Sequence, residues 1–289
     1  MTNAEYIIKN QDECIESPYK DLYIYYLEGQ LKPDKKLFGN GFIGNWQEDE
    51  FSFLFFSKPS RREVENMLSA QTSLTLIDEF YMTYDQWQGC KSAPFKIGRF
   101  RIVPPWQRLS EKMNAAPEEL TIVLDPGVVF GAGTHTTTHD CLEALELVFS
   151  REIVESVLDL GTGTGLLALA ASRLGCRSAL AVDLNLLAAN TALKNVRLNH
   201  LEDIILVIQG RAEDFIDSSS DLVIANIHYD VMQHLITSQG FLSKKWFILS
   251  GLMRGQARDL VYKLSWQPVQ ILKKWEYDGI WHTFFGKIC

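Results

Sequence analysis

Residues 157–165 read VLDLGTGTG, a short apolar run that carries Asp159 and then glycines at 161, 163 and 165. The stretch LLALAASRLG follows at once, so the segment reads as a strand ending in a glycine loop that opens a helix. Glycine lets a backbone approach a ligand closely, and a helix amino terminus offers free N–H groups at a positive dipole end. A second strand-like run, SALAVD, ends in Asp183. A carboxylate at the tip of the next strand can accept hydrogen bonds from both hydroxyls of a ribose. A plain tight turn would need the glycines alone. With the strand, the helix and Asp183 in place, these residues predict a site for a nucleoside-containing cofactor.

Spacing separates two cofactor classes. A dinucleotide fingerprint places its third glycine at the sixth loop position, where it admits the pyrophosphate and packs helix on strand. Here that position is Leu166, and the glycines recur at every second residue. That pattern, with Asp159 two residues ahead of Gly161, resembles the class I methyltransferases, which bind S-adenosylmethionine. The resemblance implies cofactor contacts from Asp159, Gly161 and Gly163.

The surrounding elements suit this reading. From about residue 153, expected strands (157–160, 179–183, 204–208, 221–225, 246–250) alternate with expected helices (164–175, 185–199, 229–240, 254–264). Such alternation gives a parallel sheet covered on both faces, with ligands beyond the carboxyl ends of the strands. Residues 268–275 and 280–287 flank Tyr277-Asp278-Gly279, a hairpin turn, so the last two strands are expected to be antiparallel. Five parallel strands and a terminal hairpin make an α/β, seven-stranded, mostly parallel, doubly wound sheet of the class I methyltransferase type. A nicotinamide dehydrogenase would continue with another crossover helix. The first part of the chain differs: DLYIYYLEG (21–29), FSFLFFS (51–57) and SLTLIDEFYM (73–82) read as strands and RREVENMLSAQ (61–71) as a helix. We expect a small α+β domain over 1–84 and a catalytic domain over 85–289, joined by a hinge near 80–95.

Between them lies LDPGVVFGAGTHTTTHDCLEALE (124–146). This stretch resembles the PrmA family, bacterial enzymes that methylate protein 11 of the large ribosomal subunit. The family carries D-P-G-x-x-F-G-x-G-T-H-x-T-T ahead of its core, and every fixed element from Asp125 to Thr138 is present. Ala132 and Thr136 stand where threonine and proline are usual. YDQWQ, FKIGRFRIVPPW, IANI, LSGL and WHTFFGK extend the resemblance over about 81–289. Carried over by position, it implies that Thr138 and Thr134 contact the cofactor from the loop, Gly161 lines its methionine portion and Asp183 holds the ribose. Asn226 would face the transferred methyl and the incoming nucleophile. Residue chemistry alone leaves Asn226 open to a turn or capping role and Thr138 open to a helix N-cap. The resemblance further implies an S-adenosylmethionine-dependent protein N-methyltransferase acting on lysine or N-terminal amines of ribosomal protein 11. Another lysine protein, a small amine, or a non-catalytic cofactor-binding relative are the alternatives. The family's recognition domain also implies a helix within residues 30–50, a Gly-, Lys- and Asp-rich stretch here.

Other features narrow the partners. His135 and His139 are four apart, but no third ligand follows at a metal-binding spacing, so no metal is expected. Asn226-Ile227-His228-Tyr229 resembles the Asn–Pro–Pro–aromatic motif of amide and base methylases without its prolines. There Tyr229 would stack near the acceptor or start the next helix, and His228 would take a proton or form pocket wall. In 289 residues, 46% apolar and 22% charged, the net charge of −8 argues against a nucleic-acid footprint and suits a basic protein substrate. Five cysteines (14, 90, 141, 176, 289) show no C-x-x-C pair. No apolar core of a signal peptide and no membrane-length apolar stretch is present, so a cytoplasmic chain without a membrane partner is expected.

Overall fold

The computed structural model describes residues 20–32, 39–88, 93–107 and 118–289. The signal-peptide reading, Cys14, Cys90 and residues 89–92 of the expected hinge region lie outside the described residues.

The N-terminal unit is a four-stranded sheet of β1 (Asp21–Glu28), β2 (Phe42–Glu48), β3 (Phe51–Phe56) and β4 (Thr75–Thr83), ordered β2-β3-β1-β4 and antiparallel at each pairing. Helix α1 (Arg61–Ala70) covers one face, burying Val64 and Met67 against Leu27, Leu54 and Phe56. The described part of 30–50 thus holds a strand rather than a helix. Aromatic residues of β2 pair with β3 across a tight turn in which Asp49 takes φ 49°, and pleated sheet suits such side chains better than helix does. The other face meets the rest of the chain. Leu22, Ile24 and Phe55 pack with Tyr84, Trp106 and Val128, and Leu187 joins from the far side.

A short helix, α2 (Tyr84–Gln88), follows β4. Then β5 (Phe95–Ile97) and β6 (Phe100–Val103) form a hairpin, and β7 (Leu120–Val123) adds in parallel to β6. This last strand is four residues long and is not among the strands expected from the sequence. Helix α3 (Thr136–Arg151) leads into the large sheet.

That sheet contains β8 (Ser156–Leu160), β9 (Ser178–Asp183), β10 (Ile205–Gln209), β11 (Leu222–Asn226), β12 (Trp246–Met253), β13 (Val269–Tyr277) and β14 (Trp281–Ile288). Its order is β10-β9-β8-β11-β12-β14-β13, parallel through β12 and antiparallel in the last two pairings. The central strands read as unbroken apolar runs because both faces are covered. On one side α3 and α4 (Leu166–Arg173) bury Leu142, Leu145 and Leu169, and α5 (Leu186–Leu198) adds Val196. On the other side lie α6 (Ala212–Phe215), α7 (Tyr229–Leu235), α8 (Gln239–Leu242) and α9 (Arg254–Leu264), with Met232 and Leu260 against Phe247 and Phe284. The helix expected over 229–240 is two helices. The Ser238 hydroxyl donates to Leu235 O at 2.7 Å and accepts from Phe241 N at 3.1 Å, ending one helix and capping the next. The chain passes from β8 outward to β9 and β10, then back across to β11. The gap between β8 and β11 is therefore the topological switch point, where open α/β sheets bind ligands.

Candidate functional site

Two loops and one strand end meet at this switch point. The glycine loop leaves β8 with Gly161 at φ +70°, and Gly161 N and Thr162 N both donate to Val182 O, at 2.8 and 3.0 Å. A Cβ on Gly161 would lie 2.1 Å from Ile227 Cγ2, so any side chain there is excluded by conformation and by space. Gly163 N donates to Asp183 Oδ2 and Asn185 N to Asp183 Oδ1, both at 2.9 Å. Burial pushes the Asp183 carboxyl above its ordinary range, and these two backbone donors pull it back down. Each of its oxygens keeps capacity for a further donor. Asp159 is placed differently from the expectation of a ligand contact. It lies beneath the loop, 1% exposed, and accepts from Thr162 Oγ1 at 2.6 Å. Burial, only partly offset by the bonds from Thr162 and Ala168, raises its carboxyl to about 6.

The second loop, 125–135, is anchored from elsewhere. Asn195 on α5 accepts from Asp125 N (2.8 Å) and donates to Asp125 O (2.9 Å) and Thr164 O (2.8 Å). Lys194 pairs with the Asp125 carboxylate, which also accepts from Gly127 N. Thr164 Oγ1 donates to Gly131 O at 2.6 Å and so ties this loop to the glycine loop. Tyr84 Oη and Gln88 Nε2 both donate to Gly127 O, at 2.8 and 2.9 Å. His135 caps α3, accepting from Thr137 N. Thr134 is exposed, whereas Thr138 is buried at 2% exposure, and its Oγ1 has no hydrogen-bond partner among the described residues.

Asn226 closes β11, half-buried, opposite Ser250 of β12. Its Nδ2 donates to Thr137 Oγ1 at 3.3 Å. His228 is exposed at the start of α7. Tyr229 begins that helix, and its hydroxyl bonds Asp259 and Lys263 of α9, so it packs helix on helix and does not stack at an acceptor site. Sequence reasoning also passed over Thr137, Asn195 and Ser250. For Asn195 a signal existed: Asn195 in the last turn of α5 and Asn199, its C-cap, are four apart, a spacing that aligns them, and Asn199 likewise brackets Val123 N and O. Among the described residues no cluster of three or more His, Cys, Asp or Glu side chains can hold a metal ion, and no helix is long and apolar enough to cross a membrane.

These features fit S-adenosylmethionine. Gly163, at φ +57°, lets the two loops close on each other, since a Cβ there would stand 2.6 Å from Phe130 O. Asp183 offers a prepared acceptor for ribose hydroxyls, and the Thr138 hydroxyl is a buried group without a hydrogen-bond partner among the described residues.

Comparison with known proteins bears on the whole region. The family described as "Ribosomal protein L11 methyltransferase (PrmA)" matches residues 70–288. A ribosomal protein L11 methyltransferase of Desulfitobacterium hafniense is 39% identical over 189 residues, which are 64% of this chain and 58% of that protein. One from Clostridium perfringens is 33% identical over 197 residues, 68% and 61% respectively. This chain thus spans less than two thirds of the length of these curated relatives. The crystal structure of a ribosomal protein L11 methylase from Lactobacillus delbrueckii subsp. bulgaricus aligns with a TM-score of 0.58 at 27% identity, covering 68% of this chain and 99% of that one.

Proposed function

The chain belongs to the PrmA family of ribosomal protein L11 methyltransferases, and on that footing we propose that it transfers a methyl group from S-adenosylmethionine to an amine nitrogen of a protein. The observation that carries the reading is the convergence at the carboxyl ends of β8, β9 and β11, where Asn226 ends the strand paired with β8, the strand that opens into the glycine loop, and Asp183 accepts from Gly163 N of that loop. In this reading Asp183 accepts the ribose hydroxyls, Gly161 and Gly163 line the methionine side and the Thr138 hydroxyl donates from above. Thr134 closes the exposed rim, and Asp159 holds the glycine loop in shape from below. When bound, S-adenosylmethionine supplies an electrophilic methyl on a sulfonium centre. The chain supplies alignment, which can account for most of such an acceleration. Asn226 Oδ1 accepts an N–H of the acceptor and directs its lone pair. A lysine amine, with an ordinary pKa near 10.4, must first lose a proton. Desolvation in the cleft favours that loss, and water takes the proton.

We assign residues 1–84 as a substrate-recognition module and 85–289 as the catalytic domain, with lysine or N-terminal amines of ribosomal protein L11 as acceptors. The test incubates the protein and methyl-labelled S-adenosylmethionine with purified ribosomal protein L11 and, separately, with a ribosome-depleted lysate. Label on ribosomal protein L11 supports the assignment. Label confined to another lysate protein retires that substrate and keeps the methyltransferase, and absence of calorimetric cofactor binding refutes the reaction.

A further inference from the structure

The Asn226 amide looks reversible, since its oxygen and nitrogen differ little in shape and the hydrogen-bond network decides the orientation. Here one donor in that network cannot be turned round. Thr137 N–H donates to His135 Nδ1 at 3.3 Å, so Nδ1 is the bare nitrogen of a neutral ring whose proton sits on Nε2. The 2.7 Å contact between His135 Nδ1 and Thr137 Oγ1 then has the hydroxyl donating. With its single proton committed, Thr137 Oγ1 can only accept from Asn226, which meets it through Nδ2. Asn226 Oδ1 is left pointing away from Thr137, toward Gly251. There the chain runs at φ +81°, and a Cβ would come within 2.9 Å of that oxygen.

The relay rests on a fixed frame. Ser250 Oγ lies 3.4 Å from Thr137 O and 2.6 Å from Thr283 Oγ1, and Thr283 donates to Asp140 at 3.0 Å. Ser250 and Thr283 are fully buried. This brace pins the first turn of α3 to β12 and β14. The rings of Phe130 and Trp281 flank His135, with centroids 5.5 and 5.0 Å away. Burial, helped by His139, lowers the His135 pKa and so favours the neutral ring the relay requires.

We propose that Thr137 and His135 are positioning residues that fix the Asn226 amide with its carbonyl oxygen, not its NH2, toward the methyl acceptor. This rests on the methyltransferase reading above. The chemistry depends on that choice. An acceptor amine freed of its extra proton has N–H donors and one lone pair. A carbonyl oxygen takes an N–H and leaves the lone pair free to attack. A flipped amide would donate into the lone pair and occupy the nucleophile.

The test compares Thr137→Val, Thr137→Ser, Asn226→Ala and the double variant Thr137→Val with Asn226→Ala, using labelled S-adenosylmethionine and ribosomal protein L11. Thr137→Val is expected to lower kcat by roughly 10-fold or more while the calorimetric Kd for S-adenosylmethionine stays within about 2-fold, and Thr137→Ser to restore most of the loss. In the Asn226→Ala background Thr137→Val should cost less than about 2-fold, because the residue acts through Asn226. A full additional loss there, or wild-type kcat in Thr137→Val when Asn226→Ala is impaired, overturns the relay alone. Wild-type turnover in Asn226→Ala overturns the role of Asn226 and the relay with it. A readout free of activity uses long-range proton–nitrogen NMR of the imidazole rings in the wild-type protein, with His135 assigned through His135→Gln. The expected spectrum has Nε2 protonated and Nδ1 bare at neutral pH, and a protonated Nδ1 overturns the proposal.

Discussion

The two loops over the ligand edge are held in opposite ways. The 161–165 loop is fastened by its neighbours in the motif and by the adjoining strand: Asp159 holds Thr162, Val182 takes two N–H groups and Asp183 takes a third. The 125–135 loop is fastened mostly by residues distant in the chain, from α5, from the glycine loop and from α2. One conformation is set mostly by the motif and its adjoining strand, with a single bond from Asn195 to Thr164 O, and the other is imposed by partners that fold around it. The first should therefore survive changes elsewhere, and the second should fail whenever a distant partner is removed.

The largest expected effect falls on the local loop. Asp183→Ala deletes the proposed ribose acceptor and the partner of two backbone N–H groups, and should weaken S-adenosylmethionine binding by about 2–4 kcal/mol in calorimetry. Unchanged affinity would separate this loop from the cofactor altogether. Next comes the imposed loop. Asn195→Ala strips three bonds at a fully buried position and should cost about 3 kcal/mol in denaturant unfolding, by leaving Asp125 N, Asp125 O and Thr164 O unsatisfied. A loss under 1 kcal/mol would mean that the loop holds its own shape.

A third change acts with the opposite sign. Asp159 has a folded-state carboxyl raised to about 6, so the native state binds its proton more tightly than the unfolded chain does. Its ionisation therefore costs stability as pH rises from about 4 to about 6. Asp159→Asn keeps an acceptor for Ala168 and turns its NH2 to the Thr162 hydroxyl, which can reverse to accept, and should stabilise the protein at pH 7 by about 1–3 kcal/mol, an advantage that disappears near pH 4. Thermal unfolding across that range checks it, and a gain that does not shrink in acid would contradict the burial argument. The smallest effect is Tyr84→Phe, which removes one of two donors to Gly127 O and should cost about 1 kcal/mol of stability.

This contrast also explains how far the sequence could be read. The glycine loop, Asp183, the alternating elements and the terminal hairpin follow from local spacing, and the structure has them within a few residues. Asn226 was visible because it ends a strand on the ligand edge. Thr137 was not, since three threonines in a row offer the same chemistry and only packing against β11 and β12 selects one. Asp159 reads as a ligand residue by position, yet its side chain points beneath the loop. Tyr229 invites an acceptor role by motif, but Asp259 and Lys263, thirty and more residues downstream, claim its hydroxyl. The strand Leu120–Val123 was missed because four residues carry too little periodicity to register.

Tyr84 has a further consequence. It sits at the seam between the N-terminal sheet and the rest of the chain, 2% exposed, and with Gln88 it grips the carbonyl of Gly127 in the loop proposed to cover the cofactor. A ligand that shifted the sheet would strain these two bonds, and a ligand that ordered the loop would favour them. Thermodynamic reciprocity requires that whatever factor one ligand gains from the other is returned in full. Together with the packing of Leu22, Ile24 and Phe55 on Trp106 and Val128, that grip gives occupancy of one half of the molecule a route by which to bear on the other.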